Sequence, residues 1–508
     1  MEEKIPAVAM RNITKRFGSV VASDKCWLNI YRGEILAMLG ENGSGKTTLM
    51  NMLSGVYFPD EGTIAIDGRE VVISSPKDAF DLGIGMIHQH FKLVDVFTAA
   101  QNIVLGLPGK LDLAEASRKI REICDRYGFV VDPDQKVYEM SVSQKQTVEI
   151  VKVLYRGADI LILDEPTAVL TPQETDKLFA VLRNMRDDGK AVVIITHKMH
   201  EVQSLSDRVA VLRRGQFTGD MLTKDTNVQE MTNMMVGRPV VLNIDRPEPE
   251  DPKPRIEVKN LTVRDVDGIA KLDGVSFTAY SGEILGIAGI SGCGQKELLE
   301  AIAGLQKTES GSISYIEDNG EPEELIGKDP LEIKKMGVAL SFVPEDRLGM
   351  GLVANMDLSD NMMLRSYRKG HSVFTNRRDP HKLAQQMVDF LEIVTPSVET
   401  PVRRLSGGNV QKVLVGREIS NAPTVLLTAY ATRGLDINSS YTIYDLVTQQ
   451  KMRGVAVIYV GEDLDVLLEL CDRILVLCGG KVSGIVDGRK TNKREVGAMM
   501  TKLGGMQE

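Results

Sequence analysis

The chain repeats itself, and this duplication constrains its fold more than any other feature. The segment SDRVAVLRRGQ at Ser206–Gln216 returns as CDRILVLCGGK at Cys471–Lys481, at an offset of 265 residues. RGEILAMLGENGSG at Arg32–Gly45 returns as SGEILGIAGISGCG at Ser281–Gly294, at an offset of 249 residues. Copies of roughly 240 residues are far longer than solenoid repeats. The pattern therefore predicts two duplicated domains.

Composition excludes several classes of protein. A chain of 508 residues with 43% hydrophobic residues can bury two cores. Its net charge of −9 argues against nucleic acid as a partner, since such binders usually present a basic face. The five cysteines are scattered, so neither a disulfide framework nor a zinc site is indicated. No run of about 20 apolar residues is present, so we expect another chain to provide any membrane anchor.

A proline-rich, charged segment separates the two copies. We assign residues 1–238 to the first domain, 239–254 to an extended linker and 255–508 to the second domain. Because this linker is short, we expect the two halves to face each other.

Within each half the pattern is α/β. Short apolar runs at Glu34–Leu39, Asp159–Leu163 and Ala191–Thr196 are typical of strands buried on both faces of a parallel sheet. The segment Thr171–Gly189 predicts a helix with a threonine N-cap, proline in the first turn and a terminal glycine.

A phosphate-binding loop follows the first of these strands. GENGSGKT at residues 40–47 fits the pattern G-x-x-x-x-G-K-[ST] between a strand and a helix. Its backbone N–H groups would surround phosphates, Lys46 would reach the β- and γ-phosphates of ATP, and Thr47 would hold Mg²⁺. The candidate nucleotide-binding residues of this segment are Gly40, Asn42, Gly43, Ser44, Gly45, Lys46, Thr47 and Thr48.

A carboxylate pair ends a later strand. In LILDEP at Leu161–Pro166, Asp164 is placed to bind Mg²⁺ through water and Glu165 to orient or polarise the attacking water. Phosphoryl transfer needs mainly positioning and charge neutralisation, which such a pair beside a metal supplies.

Together these motifs resemble the ABC ATPase family. The resemblance implies two tandem ABC ATPase domains of α/β class, each with a RecA-like P-loop core, an antiparallel β subdomain and a helical signature subdomain. It implies that Phe17 stacks on adenine and that Gln89 senses Mg²⁺ and the γ-phosphate where the motor meets its permease. It further implies that His197 is the switch histidine that contacts the γ-phosphate, beside the catalytic Glu165.

The first half departs from the family at its signature. Where LSGGQ is expected, the sequence reads MSVSQ, and side chains at Val142 and Ser143 would block close approach of the backbone to a phosphate. Thr171 stands where the D-loop of the family carries aspartate.

The second half shows the opposite losses. Gln295 replaces the lysine of the phosphate loop, and Ala429 and Tyr430 replace the carboxylate pair. Glu345 stands at the glutamine position and Glu462 at the histidine position. The residues that remain intact are those of the signature and D-loop, Ser406, Gly407, Gly408 and Asp436.

The family pairs its domains head to tail, each site using the phosphate loop of one half and the signature of the other. In such a pairing every intact element of this chain falls in one composite ATP site, and every broken element falls in the other. Random decay would scatter the losses. We therefore expect the two halves to pair within the chain, with one site competent to hydrolyse ATP.

The resemblance is greatest to fused two-domain ATPases of sugar and nucleoside importers. It rests on VPEDR at Val343–Arg347 and TRGLD at Thr432–Asp436, with other segments nearer the purine-nucleoside branch. It implies two transmembrane permease subunits, a separate solute-binding lipoprotein and a peripheral location on the cytoplasmic face of the membrane. Alternatives are a soluble tandem ABC ATPase acting on ribosomes or nucleic acid, and an inactive regulatory scaffold.

Overall fold

The computed structural model divides into two compact units, Met1–Val241 and Leu242–Glu508. It describes residues 5–18, 20–89, 91–107, 112–168, 170–237, 243–265, 267–290, 292–336, 338, 340–367 and 376–502. The division falls inside the expected linker 239–254, whose first four residues lie outside the described part.

The first unit alternates strands and helices as the sequence pattern predicts. Its strands are β1 (Val8–Phe17), β2 (Val20–Ile30), β3 (Glu34–Leu39), β4 (Glu61–Ile66), β5 (Arg69–Val71), β6 (Ile84–Ile87), β7 (Ile160–Asp164), β8 (Ala191–Ile195), β9 (Arg208–Arg213) and β10 (Gln216–Leu222). Its helices are α1 (Lys46–Leu53), α2 (Pro76–Asp81), α3 (Ala99–Val104), α4 (Leu113–Tyr127), α5 (Val142–Tyr155), α6 (Pro172–Asp187), α7 (Met199–Leu205) and α8 (Val228–Val236).

Two sheets organise this unit. One is antiparallel with the strand order β2-β1-β4-β5, and the other has the order β10-β9-β3-β8-β7-β6. In the second sheet only the β9–β10 pair is antiparallel among the described strands. Strands β7 and β8 are buried along their whole length, which explains their unbroken apolar sequences.

Helix α6 begins where the sequence places it. Thr171 is its N-cap, and its hydroxyl accepts from the backbone N–H of Glu174 while the Glu174 carboxylate accepts from the backbone N–H of Thr171. This reciprocal capping satisfies two backbone donors that the first turn leaves without helical partners. The helix prediction for Thr171–Gly189 is confirmed.

Two kinds of core hold the first unit together. Residues of both sheets pack around α1, whose Leu49, Met50, Met52 and Leu53 are buried. A separate cluster joins α3, α4 and α5, with Ile103, Ile120 and Val148 fully buried. This second cluster forms the helical subdomain that the family resemblance implies.

The second unit repeats the same plan. Its strands are β11 (Pro254–Arg264), β12 (Ala270–Tyr280), β13 (Ile284–Gly289), β14 (Ser310–Ile316), β15 (Pro322–Glu324), β16 (Leu340–Val343), β17 (Val425–Ala429), β18 (Ala456–Val460), β19 (Arg473–Cys478) and β20 (Lys481–Asp487). Its helices are α9 (Gln295–Ile302), α10 (Pro330–Lys335), α11 (Leu358–Met363), α12 (Arg378–Phe390), α13 (Gly407–Ile419), α14 (Ile437–Met452), α15 (Leu464–Leu470) and α16 (Lys493–Thr501).

Its sheets have the orders β12-β11-β14-β15 and β16-β17-β18-β13-β19-β20. These orders match those of the first unit strand for strand, so the duplication seen in the sequence is a duplication of topology. A π-helical turn at Arg347–Gly351 follows β16. No helix in the part of the chain that the structure describes is long and apolar enough to span a membrane.

The later part of the expected linker lies against the second unit. The Arg246 guanidinium donates to the carbonyl oxygens of Leu468 and Cys471, each at 2.7 Å. The Lys451 ammonium donates to the carbonyl oxygen of Pro247 and, at 2.7 Å, to the Asp472 carboxylate. These contacts attach the linker residues that precede β11 to the body of the unit.

The Lys451–Asp472 ion pair is buried, with side-chain exposures of 1% and 7%. The second Asp472 oxygen accepts from the backbone N–H of Ile284 at the start of β13. Removing the ammonium would leave a carboxylate in the core without its main counter-charge, which is costly even though Arg489 lies 3.4 Å away.

We expect Lys451→Met to lower the free energy of unfolding by about 3 kcal/mol, because it leaves the buried Asp472 carboxylate without that ammonium. Urea unfolding followed by far-UV circular dichroism measures this loss. The matched control is Arg186→Met in the first unit, where the equivalent Arg186–Asp207 pair is more exposed. That control should cost less than about 1 kcal/mol. Equal losses in the two variants would contradict the assignment of Lys451–Asp472 as a buried pair.

Candidate functional site

The first phosphate loop links β3 to α1. Gly45 is the N-cap of α1 and has a left-handed backbone with φ of 98°. A Cβ atom at Gly45 would lie 2.3 Å from the carbonyl oxygen of Ala22, and one at Gly40 would lie 2.4 Å from that of Leu212. Only glycine fits these two positions, and the loop is thereby drawn against the strands beneath it.

Lys46 lies inside this loop. Its side chain is folded back so that the ammonium donates to the carbonyl oxygens of Gly40 at 2.7 Å and Glu41 at 3.0 Å. Burial lowers the pKa of Lys46, while the nearby carboxylates of Glu165 and Asp164 raise it. The site therefore holds a desolvated cation whose hydrogen bonds, among the described residues, go to loop carbonyl oxygens.

The neighbouring residues of the loop differ in exposure. Ser44 is buried, and its hydroxyl has no hydrogen-bond partner among the residues that the structure describes. Asn42, Gly43 and Thr47 are exposed, and Thr48 is partly buried. A buried hydroxyl without a partner beside a cation fits an anionic ligand such as a phosphate.

Thr47 and Asp164 converge on a point beside the loop. The Thr47 hydroxyl lies 3.4 Å from an Asp164 carboxylate oxygen at the end of β7. Burial raises the pKa of Asp164, and the bond from Thr47 opposes this. No cluster of three or more metal-binding side chains occurs among the described residues. One carboxylate and one hydroxyl suit Mg²⁺, which completes its shell with water and substrate phosphates.

Glu165 accepts two hydrogen bonds. Gln89 donates its amide to one carboxylate oxygen at 2.9 Å, and the Nδ1 atom of His197 lies 3.1 Å from the other. We name these three residues the Glu165 hub. The hydrogen bond from His197 holds the pKa of Glu165 below its usual range, against the effect of burial. The hub thus keeps a carboxylate ionised and fixed in orientation beside Asp164 and Lys46.

The aromatic residue Phe17 ends β1 and is 43% exposed. Tyr57 packs against it edge to face, with ring centroids 5.2 Å apart. The sequence reasoning singled out Phe17 and missed Tyr57. A signal for Tyr57 in the sequence was the aromatic pair Tyr57-Phe58, a few residues beyond the end of α1. Tyr57 restricts the ring that the resemblance assigns to adenine stacking.

The second phosphate loop keeps the backbone of the first but not its charge. Gly294 caps α9 with φ of 98°, as Gly45 caps α1. Gln295 is buried where Lys46 lies in the first unit, and its amide donates to the carbonyl oxygen of Ile290 at 3.1 Å. Lys296 lies on the helix surface, with its ammonium 3.8 Å from the Glu300 carboxylate. Lys296 therefore does not substitute for the lost lysine.

The position equivalent to Phe17 is also changed in the second unit. The segment NITKRF at Asn12–Phe17 returns as NLTVRD at Asn260–Asp265. Thr14 and Thr262 lie opposite Glu61 and Ser310 on the neighbouring strands, so Asp265 stands where the first unit has Phe17. The Asp265 carboxylate accepts from the backbone N–H groups that follow it in a turn. This place offers no aromatic face to a base.

The carboxylate positions of the second unit hold Ala429 and Tyr430. Tyr430 has φ of 53°, close to the 46° of Glu165, so the backbone is preserved. Burial raises the pKa of Tyr430 to about 12. Its phenol therefore stays protonated near neutral pH and offers no negative charge to a metal or a water molecule. Glu345 and Glu462 contact Arg433 instead.

The two signature segments begin helices of the helical subdomains. Ser141 caps α5 and Ser406 caps α13, each accepting a backbone N–H three residues on. Val142 is 38% exposed at the start of α5. Gly407 is exposed, and a Cβ atom at Gly408 would meet no atom closer than 3.7 Å. The fold of this unit thus does not require glycine at position 408.

The D-loop residues are both helix caps. Asp436 caps α14, and its carboxylate accepts from the backbone N–H of Ser439 at 2.8 Å and from its hydroxyl at 2.6 Å. Thr171 plays the equivalent part at α6. Inside its own unit, Asp436 therefore fixes the turn that joins β17 to α14.

Comparison with known proteins agrees with this geometry. A model of the ABC transporter family matches residues 24–168 and again residues 272–430. The chain is 41% identical to the nucleoside import ATP-binding protein NupA of Lactococcus lactis subsp. cremoris, with 97% of each chain covered. It is 40% identical to the guanosine import ATP-binding protein NupO of Bacillus subtilis, again with 97% of each covered.

One solved structure matches along most of the chain. The archaeal ribosome recycling factor aABCE1, in its complex with the ribosomal stalk protein aP1, gives a TM-score of 0.61 and covers 94% of this chain and 90% of its own. At 16% identity this likeness shows the fold alone. With both halves matched by the family model and relatives similar along the whole chain, this protein belongs to the ABC transporter family, carries two of its ATP-binding domains and is an ATPase.

Proposed function

We propose that this chain is the ATP-hydrolysing motor subunit of an ABC importer, with one competent ATP site. The observation that carries the proposal is the Glu165 hub in the first unit, together with its replacement by Tyr430 in the second. The importer takes up a nucleoside or, alternatively, a simple sugar, through separate permease subunits.

The first unit supplies the groups that bind the nucleotide. Lys46 exchanges its loop carbonyls for the β- and γ-phosphates, and the unpartnered Ser44 hydroxyl gains an acceptor. Backbone N–H groups at the start of α1 surround the phosphates. Phe17, braced by Tyr57, stacks on the adenine.

Thr47 and Asp164 hold Mg²⁺ in this proposal, Asp164 through water. The metal, when bound, neutralises phosphate charge. Glu165 orients the attacking water, because its carboxylate is kept ionised by His197. Gln89 donates a hydrogen bond to the same carboxylate. It thereby links the metal side of the site to β6, the strand that precedes the helical subdomain.

The second unit contributes the signature and the D-loop to the same site. Glycine at position 408 is not required by the fold of its own unit, as the open space around it indicates. Glycine there leaves backbone N–H groups accessible to a γ-phosphate held by the first unit. Asp436 holds the adjoining turn. In this head-to-tail pairing Val142 and Ser143 fall in the other site, beside Gln295.

The permease subunits dock on the helical subdomains near Gln89 and Glu345. The π-helical turn that follows Glu345 and the residues just after it expose apolar side chains, with Leu348, Met350 and Val353 between 40% and 45% exposed. Exposed apolar groups in one place suit contact with another protein. The motor then lies on the cytoplasmic face of the membrane, and a separate solute-binding lipoprotein delivers the solute.

Nucleoside is the favoured solute class. It is supported by the two relatives named for nucleoside and guanosine import, each similar over 97% of this chain. The residues that read the solute lie in the permease and lipoprotein, so the class is tested in the complete transporter.

We expect Glu165→Gln to reduce ATP turnover to below about 1% while retaining ATP binding, because the amide cannot act as a base for water. The measurement is phosphate release by the chain assembled with its permease. Tyr430→Glu restores a carboxylate to the second unit, yet it should not raise turnover, since Gln295 and Ala429 remain. Turnover that persists in Glu165→Gln would overturn the single-site proposal.

The pairing of the units is tested by exchanging signature residues. Gly408→Ser should lower turnover about a hundredfold, because the side chain blocks backbone donors to the γ-phosphate. Its melting temperature should be unchanged, given the space around Gly408. The matched control is Ser143→Gly, at the equivalent position of the first unit, which should change turnover by less than about twofold because it restores only part of a broken site. Equal effects in the two variants would contradict the head-to-tail assignment.

The solute class is tested with the transporter reconstituted in liposomes. We expect guanosine or adenosine to stimulate ATP turnover in the presence of the binding lipoprotein, whereas ribose and glucose should not. Stimulation by a free sugar alone would replace the nucleoside proposal by the sugar alternative and would leave the motor proposal intact.

A further inference from the structure

The second unit contains a charged cluster at the place of the Glu165 hub, with the charges reversed. In the first unit the central group is a carboxylate that accepts from Gln89 and His197. In the second unit the equivalent outer positions hold carboxylates, Glu345 and Glu462. Both reach the guanidinium of Arg433, with Glu462 at 3.0 Å.

Arg433 lies between two functional elements of its unit. It follows Tyr430 by three residues, and its guanidinium lies 5.9 Å from the centre of the Tyr430 ring. It also immediately precedes Gly434, Leu435 and Asp436, the D-loop. The two carboxylates therefore fix the residue from which the D-loop starts.

A second arginine extends this cluster to the signature. Arg347 begins the π-helical turn two residues after Glu345. Its guanidinium donates to the carbonyl oxygen of Gly407 at 3.2 Å and to that of Arg433. One side chain thus joins the signature backbone to the backbone at the start of the D-loop. We name Arg433, Glu345, Glu462 and Arg347 the Arg433 network.

The exposure of Arg433, Glu345 and Glu462 argues against a role of their ion pairs in stability. The side chains of Arg433, Glu345 and Glu462 are 54%, 36% and 48% exposed. Ion pairs exposed to this degree contribute little to the free energy of folding. A guanidinium held by two carboxylates is, however, fixed in direction as well as in place, because its donors are arranged in a rigid plane.

We propose that Arg433 and Arg347 are positioning residues for ATP hydrolysis: they hold the signature at Gly407 and the D-loop before Asp436 in one fixed arrangement. This inference rests on the proposed function, in which those two segments complete the site of the first unit. Neither arginine touches the reacting atoms. Arg347 acts through the two backbone carbonyl groups to which its side chain donates. Arg433 acts through its own backbone, which its carbonyl oxygen anchors to Arg347.

The experiment removes either the cation or the carboxylates of the Arg433 network in the chain assembled with its permease. Arg433→Ala removes the cation, and the double variant Glu345→Gln with Glu462→Gln removes both charged partners while keeping their shape. Each should lower kcat for ATP about tenfold, since a misplaced signature fails to meet the transition state. The affinity for ADP should stay unchanged, because ADP has no γ-phosphate for the signature to contact.

A combined variant with all three substitutions tests whether these residues act as one unit. Its kcat should fall no further than that of Arg433→Ala alone, whereas independent contributions would multiply. Arg433→Lys should recover only part of the loss, because an ammonium keeps the charge but not the planar pair of donors. A role confined to folding would lower the melting temperature in proportion to kcat, and that result would overturn the proposal.

The matched control is Arg264→Ala in the same unit. Arg264 pairs with Glu309 at similar exposure, 48% and 49%, and also donates to a backbone carbonyl oxygen, that of Gly268. It should change kcat by less than about twofold, the scale of an exposed ion pair.

Two outcomes distinguish a failure of this inference from a failure of the proposed function on which it rests. If Gly408→Ser leaves turnover unchanged, the signature takes no part and the composite site fails. If Gly408→Ser abolishes turnover and Arg433→Ala does not lower kcat, the composite site stands and the positioning role of Arg433 is wrong.

Discussion

The register of three parallel strands determines the geometry of the first site. Strand β8 pairs with both β3 and β7, and Ile195 at its end lies opposite Met38 and Asp164. The three strands therefore end level with one another, and the segments that leave them meet at one edge of the sheet. The phosphate loop, the Asp164–Glu165 pair and His197 are brought together by backbone hydrogen bonds. The Glu165 hub needs no long loop to form, because each of its residues lies within three residues of a strand end.

The second unit shows that this arrangement does not depend on the catalytic side chains. Its register is the same, with Val460 opposite Ala429 and Ile287. The backbone N–H of Tyr430 donates to the carbonyl oxygen of Val460 at 2.9 Å, as that of Glu165 does to Ile195. The left-handed turn survives with a phenol in place of a carboxylate. The fold supplies the positions and the side chains supply the chemistry, so one half of a duplicated chain can lose its chemistry and keep its shape.

The fold class and most of the first site follow from the sequence, because their signals are local. Buried parallel strands have unbroken apolar sequences, and the loop at residues 40–47 has a fixed spacing. Tyr57 and Arg433 were missed because each matters through a contact with a residue distant in sequence. Asp265 was missed although its place after NLTVR repeats that of Phe17 after NITKR. Arg433 carried one indication: two carboxylates, Glu345 and Glu462, at positions that meet in space require a cation between them. The contacts by which Arg246 and Lys451 attach the linker to the second unit had no signal in the sequence, since their acceptors are backbone carbonyl oxygens.

The reversed charges of the Arg433 network explain how the second unit stays ordered without the carboxylate of the Glu165 hub. If a glutamine and a histidine stood at positions 345 and 462, as Gln89 and His197 do in the first unit, the loss of the carboxylate at position 430 would leave both without an acceptor. The strand ends that carry them would then have no hydrogen bonds joining them through that carboxylate. Carboxylates at Glu345 and Glu462 restore the link through a guanidinium, which donates in both directions but cannot activate water. Because Arg433 lies beside the D-loop, its ion pairs fix a segment of the second unit that the hydrogen bonds of the Glu165 hub do not fix in the first unit. In the proposed motor, the second unit thus has a group that holds the signature and D-loop in place where the first unit has one that performs chemistry.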